Sequence, residues 1–363
     1  MGRRTRTVET RYKVGMPDRP PDHPTVYCLI DGYAEIFRSF HAIRRPLYSP
    51  VTGEQTQAVL IFAQSLLKLL TALEPDYVVV ALDPFGKTFR DELYKQYATG
   101  EEGPLLPETV PCGDGEPVVG AEPLVDGEPS AESTGELLPV QSYKGTRPAT
   151  PDGLTAQIPR ILELLELFQI PVIECPGMEA DDVIATLTER ILRDPAPGDA
   201  QIRIVSPDKD LEQLIVDGNR RVTLYSISSG VETDADAVMA KRGVTPAQIV
   251  DFLALTGDVV DNIPGVSGIG PRTAAKLLQR YGSLEGIRDS LPEVEERWRD
   301  RLRDGLLVQL PLSRRLITLE RNADIRFDLE DGRVKEPLRQ ELETFFETLG
   351  FNRLRELFRQ NEP

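Results

Sequence analysis

The chain has 363 residues, with 42 Lys and Arg against 59 Asp and Glu and a net charge of −17. That is room for one large domain or two ordinary ones, and no apolar run reaches the roughly 18 residues that a transmembrane helix needs. Three scattered cysteines (Cys28, Cys112, Cys175) exclude a disulfide framework and a CxxC metal site. Two histidines (His23, His41) are too few for a His-ligated zinc or a Ser-His-Asp triad, so chemistry falls to carboxylates in a reducing, cytoplasmic setting.

In chain order, residues 1–24 are basic but lack the apolar stretch of a secretory signal, and they read as a disordered tail. VYCLID (26–31) is a short, β-rich apolar run ending on Asp31. TQAVLIFAQSLLKLLTAL (56–73) reads as a helix buried on most sides. YVVVALD (77–83) is a second strand ending on Asp83. ALDPFGKT (81–88) ends like a phosphate-binding loop, but Ala81 stands where the first glycine belongs and Pro84 lies inside, so the nucleotide-hydrolase pattern fails.

Residues 98–142 hold ten acids, no Lys or Arg, seven Pro and seven Gly. No helical or strand period survives so many breakers, and the segment reads as a disordered acidic insertion. Outside it, 49 acids face 42 bases.

LTAQIPRILELLELF (154–168) carries Ile158, Ile161, Leu162, Leu165 and Phe168 on one helical face. EADDVIATL (179–187) opens another helix, and IRIVSPD (202–208) is a third strand running toward Asp208. Strands alternating with helices predict an α/β fold with a parallel sheet and right-handed crossovers. From about residue 245 the chain reads as mostly helical. The expected division is a core over 25–245 and a helical region over 246–363.

The three strands share one feature: each leads to an aspartate. Ligands of open α/β sheets bind outside the carboxyl ends of the strands, so Asp31, Asp83 and Asp208 are expected to converge. A single such aspartate is most often a turn residue or helix cap, but three weaken that reading. Glu179, Asp181 and Asp182 in EADD, Asp210 in SPDKD, and Asp258 and Asp261 in TGDVVDN add to the group, the last two on one side of an expected helical turn. Capping alone explains one or two of these acids. Nine in one pocket cannot stay ionised without cations. An all-oxygen ligand set selects Mg²⁺ or Mn²⁺, and a pair of such ions suits in-line phosphodiester displacement.

GVSGIGPRTAAKLL (265–278) is the second signal. Gly268, Ile269 and Gly270 form a tight turn at a helix start, an anion site by geometry, with Thr273 in the helix and Arg272 and Lys276 flanking. Such hairpins grip the DNA backbone without reading sequence. Lys87 and Arg90 in GKTFRDELY and Tyr143, Lys144 and Arg147 in SYKGTRP supply basic and aromatic groups near the acids.

LIDGYAEIFRSFHAI, VVVALDPFGKTFRDELY, YKGTRPATP, GMEADDVIATL, VSPDKDLEQL, ALTGDVVDNIPGVSGIGPRTAAKLL and FNRLREL occur in this order. Together they resemble the 5′–3′ exonuclease domain of bacterial DNA polymerase I, of the flap endonuclease superfamily. The resemblance covers about residues 25–360 apart from the insertion. It implies a PIN-like parallel sheet flanked by helices, a helical arch and a C-terminal helix-hairpin-helix. It also implies two-metal hydrolysis of DNA at 5′ ends and 5′ flaps beside duplex junctions, by a monomer that acts in replication and repair and does not bind membranes.

Carried over by motif, Asp31, Asp83, Glu179 and Asp181 resemble the ligands of one Mg²⁺, and Asp181, Asp208, Asp210 and Asp261 those of the other, with Mn²⁺ as a substitute. Asp182 and Asp258 resemble outer or water-mediated ligands. Lys144 and Arg147 match the basic pair of the arch, Arg38 and Arg90 match positions near the scissile phosphate, and the hairpin implies a K⁺ site. The insertion splits the arch, and the chain stops where the exonuclease domain stops. A non-catalytic junction-binding protein and a PIN-type ribonuclease are the competing readings. No ligand is missing for the first, and the second lacks a reason for the hairpin.

Overall fold

A computed structural model describes residues 23–99, 143–144, 150–194, 198–307 and 309–359. The expected tail lies outside these residues apart from His23 and Pro24. So does the insertion, apart from residues 98–99, which continue a helix.

The first half alternates as its sequence predicts. β1 (Thr25–Asp31) leads into α1 (Gly32–His41), followed by α2 (Gln57–Leu73), β2 (Tyr77–Leu82), α3 (Phe89–Thr99), the single turn α4 (Asp152–Thr155) and α5 (Ile158–Leu167). Then come β3 (Val172–Glu174), α6 (Ala180–Arg193), β4 (Ala200–Val205), a 3-10 turn at Asp210–Leu214, β5 (Arg220–Tyr225), β6 (Glu232–Thr233) and α7 (Ala235–Arg242). The sheet order is β3-β2-β1-β4-β5-β6, parallel throughout except for the antiparallel β5–β6 pair at one edge.

Side chains alternate across this sheet as the pleat requires. Tyr27, Leu29, Val79, Ala81, Ile202 and Ile204 face the core that contains α6 and α8 (Ile249–Thr256), the first helix of the C-terminal half. Cys28, Ile30, Val78, Val80 and Val205 face a second core with α2 and α5. With both faces covered, the strands read as unbroken apolar runs.

The C-terminal half continues with α9 (Pro271–Tyr281), α10 (Leu284–Asp289), α11 (Glu296–Leu307), α12 (Gln309–Ile317), α13 (Arg339–Thr348) and α14 (Asn352–Glu356). The last two return to the parallel sheet, where Phe346 and Phe358 complete the core beside α5.

Three expectations need correction. The helix expected over 154–168 is two, because Pro159 has no N–H to give to the preceding turn. At the break, the Gln157 side chain accepts from Ala58 N–H at 2.8 Å and donates to Gly153 O at 2.7 Å. The TGDVVDN segment is no helical turn. Gly257 ends α8 at φ 72, and Asp258 and Ile263 then exchange two backbone hydrogen bonds of 2.8 and 2.7 Å. Cys175, just past β3, is disulfide-bonded, whereas Cys28 is a buried thiol. Among the described residues, no helix is long and apolar enough to cross a membrane.

Candidate metal centre and nucleic-acid interface

The carboxyl edge of the parallel sheet gathers the acids. Asp31 ends β1 and caps α1 by accepting from Ala34 N–H at 3.1 Å. Its other oxygen accepts from Ser206 Oγ at 2.8 Å, and that hydroxyl in turn accepts from Asp208 N–H at 3.0 Å. Asp208 accepts from Asp210 N–H at 2.8 Å. A chain of short bonds therefore joins the end of β1 to the loop after β4. Asp83, just past β2, accepts from Ala180 N–H at 2.7 Å, which draws the start of α6 to the same edge. There the positive end of the helix dipole faces the acids.

One subset is tighter than the rest. Carboxylate oxygens of Asp210, Asp258 and Asp261 lie within 4.8 Å of one another. Asp210 Oδ1 is buried and accepts no hydrogen bond, an orphaned anionic oxygen of the sort a hard cation would satisfy. Lys209 partly compensates the trio, bonded to Asp258 Oδ2 and 3.8 Å from Asp210 Oδ1. Sequence reasoning missed Lys209, although it stands between the two acids of SPDKD and its ammonium is an internal cation of the kind such a cluster needs.

Electrostatics report the crowding. Burial pushes the Asp31 carboxyl up to about 7, and Asp83 and Asp208 add to the rise. Asp210 is likewise pushed to about 7, first by burial and then by Asp208, against the pull of Lys209. Asp181 is raised well above the ordinary carboxylate range by burial, then by Asp208 and Asp31. Asp83, Asp181 and Asp208 therefore each share a field with Asp31, and Asp181 also with Asp208. Among the described residues, however, they do not form a group as tight as the Asp210 trio.

Beyond α8 lies the hairpin. Gly268 has φ +76, in the region open to glycine, and Gly270 caps α9 with Pro271 following. Arg272 and Lys276 are exposed on α9 and make no ion pair among the described residues.

Two family models together match most of the chain: the 5′-3′ exonuclease N-terminal resolvase-like domain over residues 26–104 and 136–243, and the 5′-3′ exonuclease C-terminal SAM fold over 244–340. A 5′-3′ exonuclease of Aquifex aeolicus is 32% identical over 340 residues, covering 93% of this chain and 97% of that one. The chain belongs to the 5′-3′ exonuclease family.

DNA polymerase I of Bacillus caldotenax is 33% identical over 89% of this chain, but the match spans 31% of the polymerase, about a third of its length. T5 5′-exonuclease, solved with bound zinc, superposes with a TM-score of 0.54 at 18% identity, covering 92% of this chain and 97% of the other, and so shares the fold.

Within this 5′-3′ exonuclease, several expected site residues lie elsewhere than their motifs suggest. Arg90 does not face a phosphate. It is 1% exposed, and its guanidinium is taken up by Asp182, Glu179, Leu316 O and Thr318 O. Asp182 is equally sealed. It accepts from Arg90 twice, from Glu179 N–H and from Glu320 N–H, which leaves no room for a ligand role. Tyr143 offers no stacking face to DNA. It is buried, with its hydroxyl 3.4 Å from Glu179 and the Lys144 ammonium over its ring. The Ile269 side chain packs into the core, so only its backbone serves the turn.

The remaining expected residues have these surroundings. Lys144 donates to Glu179 Oε1 at 2.7 Å, and its N–H bonds Asp261 O at 3.2 Å, which puts its ammonium at the acid cluster. Arg38, on α1, is held by Glu35 at 2.6 Å and Ser65 at 2.9 Å. Lys87 is exposed, 3.8 Å from Glu92. Thr273 is half-buried in the first turn of α9. Arg147 lies outside the described residues.

Proposed function

We propose that this protein hydrolyses DNA phosphodiester bonds at 5′ ends and 5′ flaps beside duplex junctions, leaving a 5′-phosphate and a 3′-hydroxyl. The observation that carries this reading is the Asp210–Asp258–Asp261 trio with its orphaned oxygen, within the field of Asp208, whose charge also raises Asp31 and Asp181 at the carboxyl edge of the sheet. The donors are all carboxylates, which suits Mg²⁺, with Mn²⁺ as a substitute. Asp210, Asp258 and Asp261 would hold one ion, joined by Asp208. Asp31, Asp83, Asp181 and Glu179 would serve the other. Bound there, such ions supply activation of water and stabilisation of the departing oxygen.

The chain's own residues do the remainder. Lys144, already at Glu179, is positioned to neutralise charge that develops on the phosphate, and Arg147 belongs to the same proposal. Lys87 adds exposed positive charge on the loop after Asp83. The turn at Gly268–Gly270, with Arg272 and Lys276, holds the duplex backbone without reading its sequence. A K⁺ ion at that turn and action as a monomer rest on the family resemblance alone.

The test is a 5′-labelled flap duplex incubated with Mg²⁺ or EDTA and read at nucleotide resolution, with an RNA flap run in parallel. The proposal expects cleavage near the junction in Mg²⁺ alone and a preference for DNA. Binding without cleavage in Mg²⁺ would favour a junction-binding protein, and preference for RNA a ribonuclease.

A further inference from the structure

Resting on the reading that the hairpin holds duplex DNA, we propose that Arg301 of α11 is a third phosphate-binding cation of that site. It comes from outside the hairpin motif and is held in place by neutral groups.

Arg301 Nη1 donates to Ser267 O at 3.3 Å, so α11 reaches the hairpin turn directly. The guanidinium fills the space that a Cβ on residue 268 would need. The positive φ is what calls for glycine at 268, and the arginine lies in the space that the missing Cβ leaves. The Trp298 ring lies one turn earlier on α11, with its centroid 5.9 Å from Arg301 Cζ. A main-chain carbonyl and an indole face orient a guanidinium without cancelling its charge.

The other arginines of α11 are used differently. Arg297 packs 5.0 Å from the same indole but is neutralised by Glu295 at 2.7 Å. Arg303 is paired with Asp300 at 2.8 Å, and Arg299 bonds the carbonyls of Pro292 and Val294. Arg301 is exposed and has no carboxylate partner among the described residues. Of its five N–H groups, one is spent on Ser267 and the remainder are free for an anion. In a chain so acidic overall, an ordered, unpaired arginine against a phosphate-binding turn points to a phosphodiester as its ligand.

The experiment measures binding of blunt duplex DNA in EDTA by fluorescence anisotropy across a salt series, so that cleavage plays no part. Arg301→Gln keeps a donor for Ser267 and removes the charge. It should raise Kd several-fold and lower the slope of log K against log salt by about 0.9, one phosphate contact. Arg301→Lys should retain the slope, and Arg297→Gln should match wild type. Circular dichroism confirms that each variant is folded. An Arg301→Gln slope equal to wild type, or an equal loss in Arg297→Gln, overturns the proposal. Wild type that fails to bind duplex would overturn the hairpin reading beneath it.

Discussion

Arg90 and Asp182 meet through two parallel hydrogen bonds, Nη1 to Oδ2 at 2.5 Å and Nη2 to Oδ1 at 2.8 Å, with both side chains shut off from water. The same guanidinium reaches Leu316 O and Thr318 O at the end of α12. One buried pair thus ties α3 to α6 and to the C-terminal half. Removing Arg90 leaves Asp182 buried without its counter-ion, and removing Asp182 leaves the buried Arg90 only the longer contact to Glu179. Arg90→Ala and Asp182→Ala should each cost about 3–5 kcal/mol of stability, read by urea unfolding. If Asp182→Ala instead kept full stability and lost only metal affinity, Asp182 would be a ligand after all.

The crowded acids predict a pH dependence of the metal-free protein. The folded carboxyls of Asp31 and Asp210 lie near 7, above their ordinary values in the unfolded chain. Such groups favour the fold at low pH and lose that contribution as pH rises through their folded pKa. In EDTA the melting temperature should therefore be lower at pH 8 than at pH 5.5, and saturating Mg²⁺ should abolish the difference. A metal-free melting temperature that rises over this range would contradict the crowding.

Lys209 competes with any cation for Asp258 and Asp210. Its own pKa is raised despite burial, because the surrounding carboxylates outweigh desolvation. Lys209→Met should bind Mn²⁺ several-fold more tightly in calorimetry while lowering the stability of the metal-free protein. Weaker Mn²⁺ binding would mean that Lys209 organises the trio instead of competing for it.

Gly257 shapes the loop that carries two of the three acids. A Cβ there would collide with the backbone of Gly265, and its φ of 72 is one that side chains rarely adopt. Gly257→Ala should destabilise the protein by at least about 1 kcal/mol and weaken Mn²⁺ binding together with it. Stability loss with unchanged Mn²⁺ affinity would separate this loop from the metal site.

Much of this was legible in the sequence because sheet physics exposes it. Asp31, Asp83 and Asp208 stand at or just past the ends of apolar runs, and the topology of a parallel sheet then brings them to one edge. The pairing of charges was not legible. Nothing in the spacing of Arg90 and Asp182 says that they neutralise each other, because the contact joins residues 92 positions apart. Likewise Tyr143 reads as an aromatic beside basic residues, yet tertiary packing sinks it under Lys144. β3 is only three residues long, and β5, RRVTLY, mixes polar with apolar residues, so neither stood out as an apolar run. Arg301 was invisible because its partner, the carbonyl of Ser267, has no side-chain signature.

The claim on which all else depends is that Asp210, Asp258 and Asp261 hold a divalent cation. Mn²⁺ binding followed by electron paramagnetic resonance tests it most directly, comparing wild type with the Asp210→Asn/Asp258→Asn/Asp261→Asn variant, its fold checked by circular dichroism. The account predicts fewer Mn²⁺ ions per folded chain in the variant and loss of flap cleavage with them. A folded variant that binds as many Mn²⁺ ions, as tightly as wild type, would contradict it.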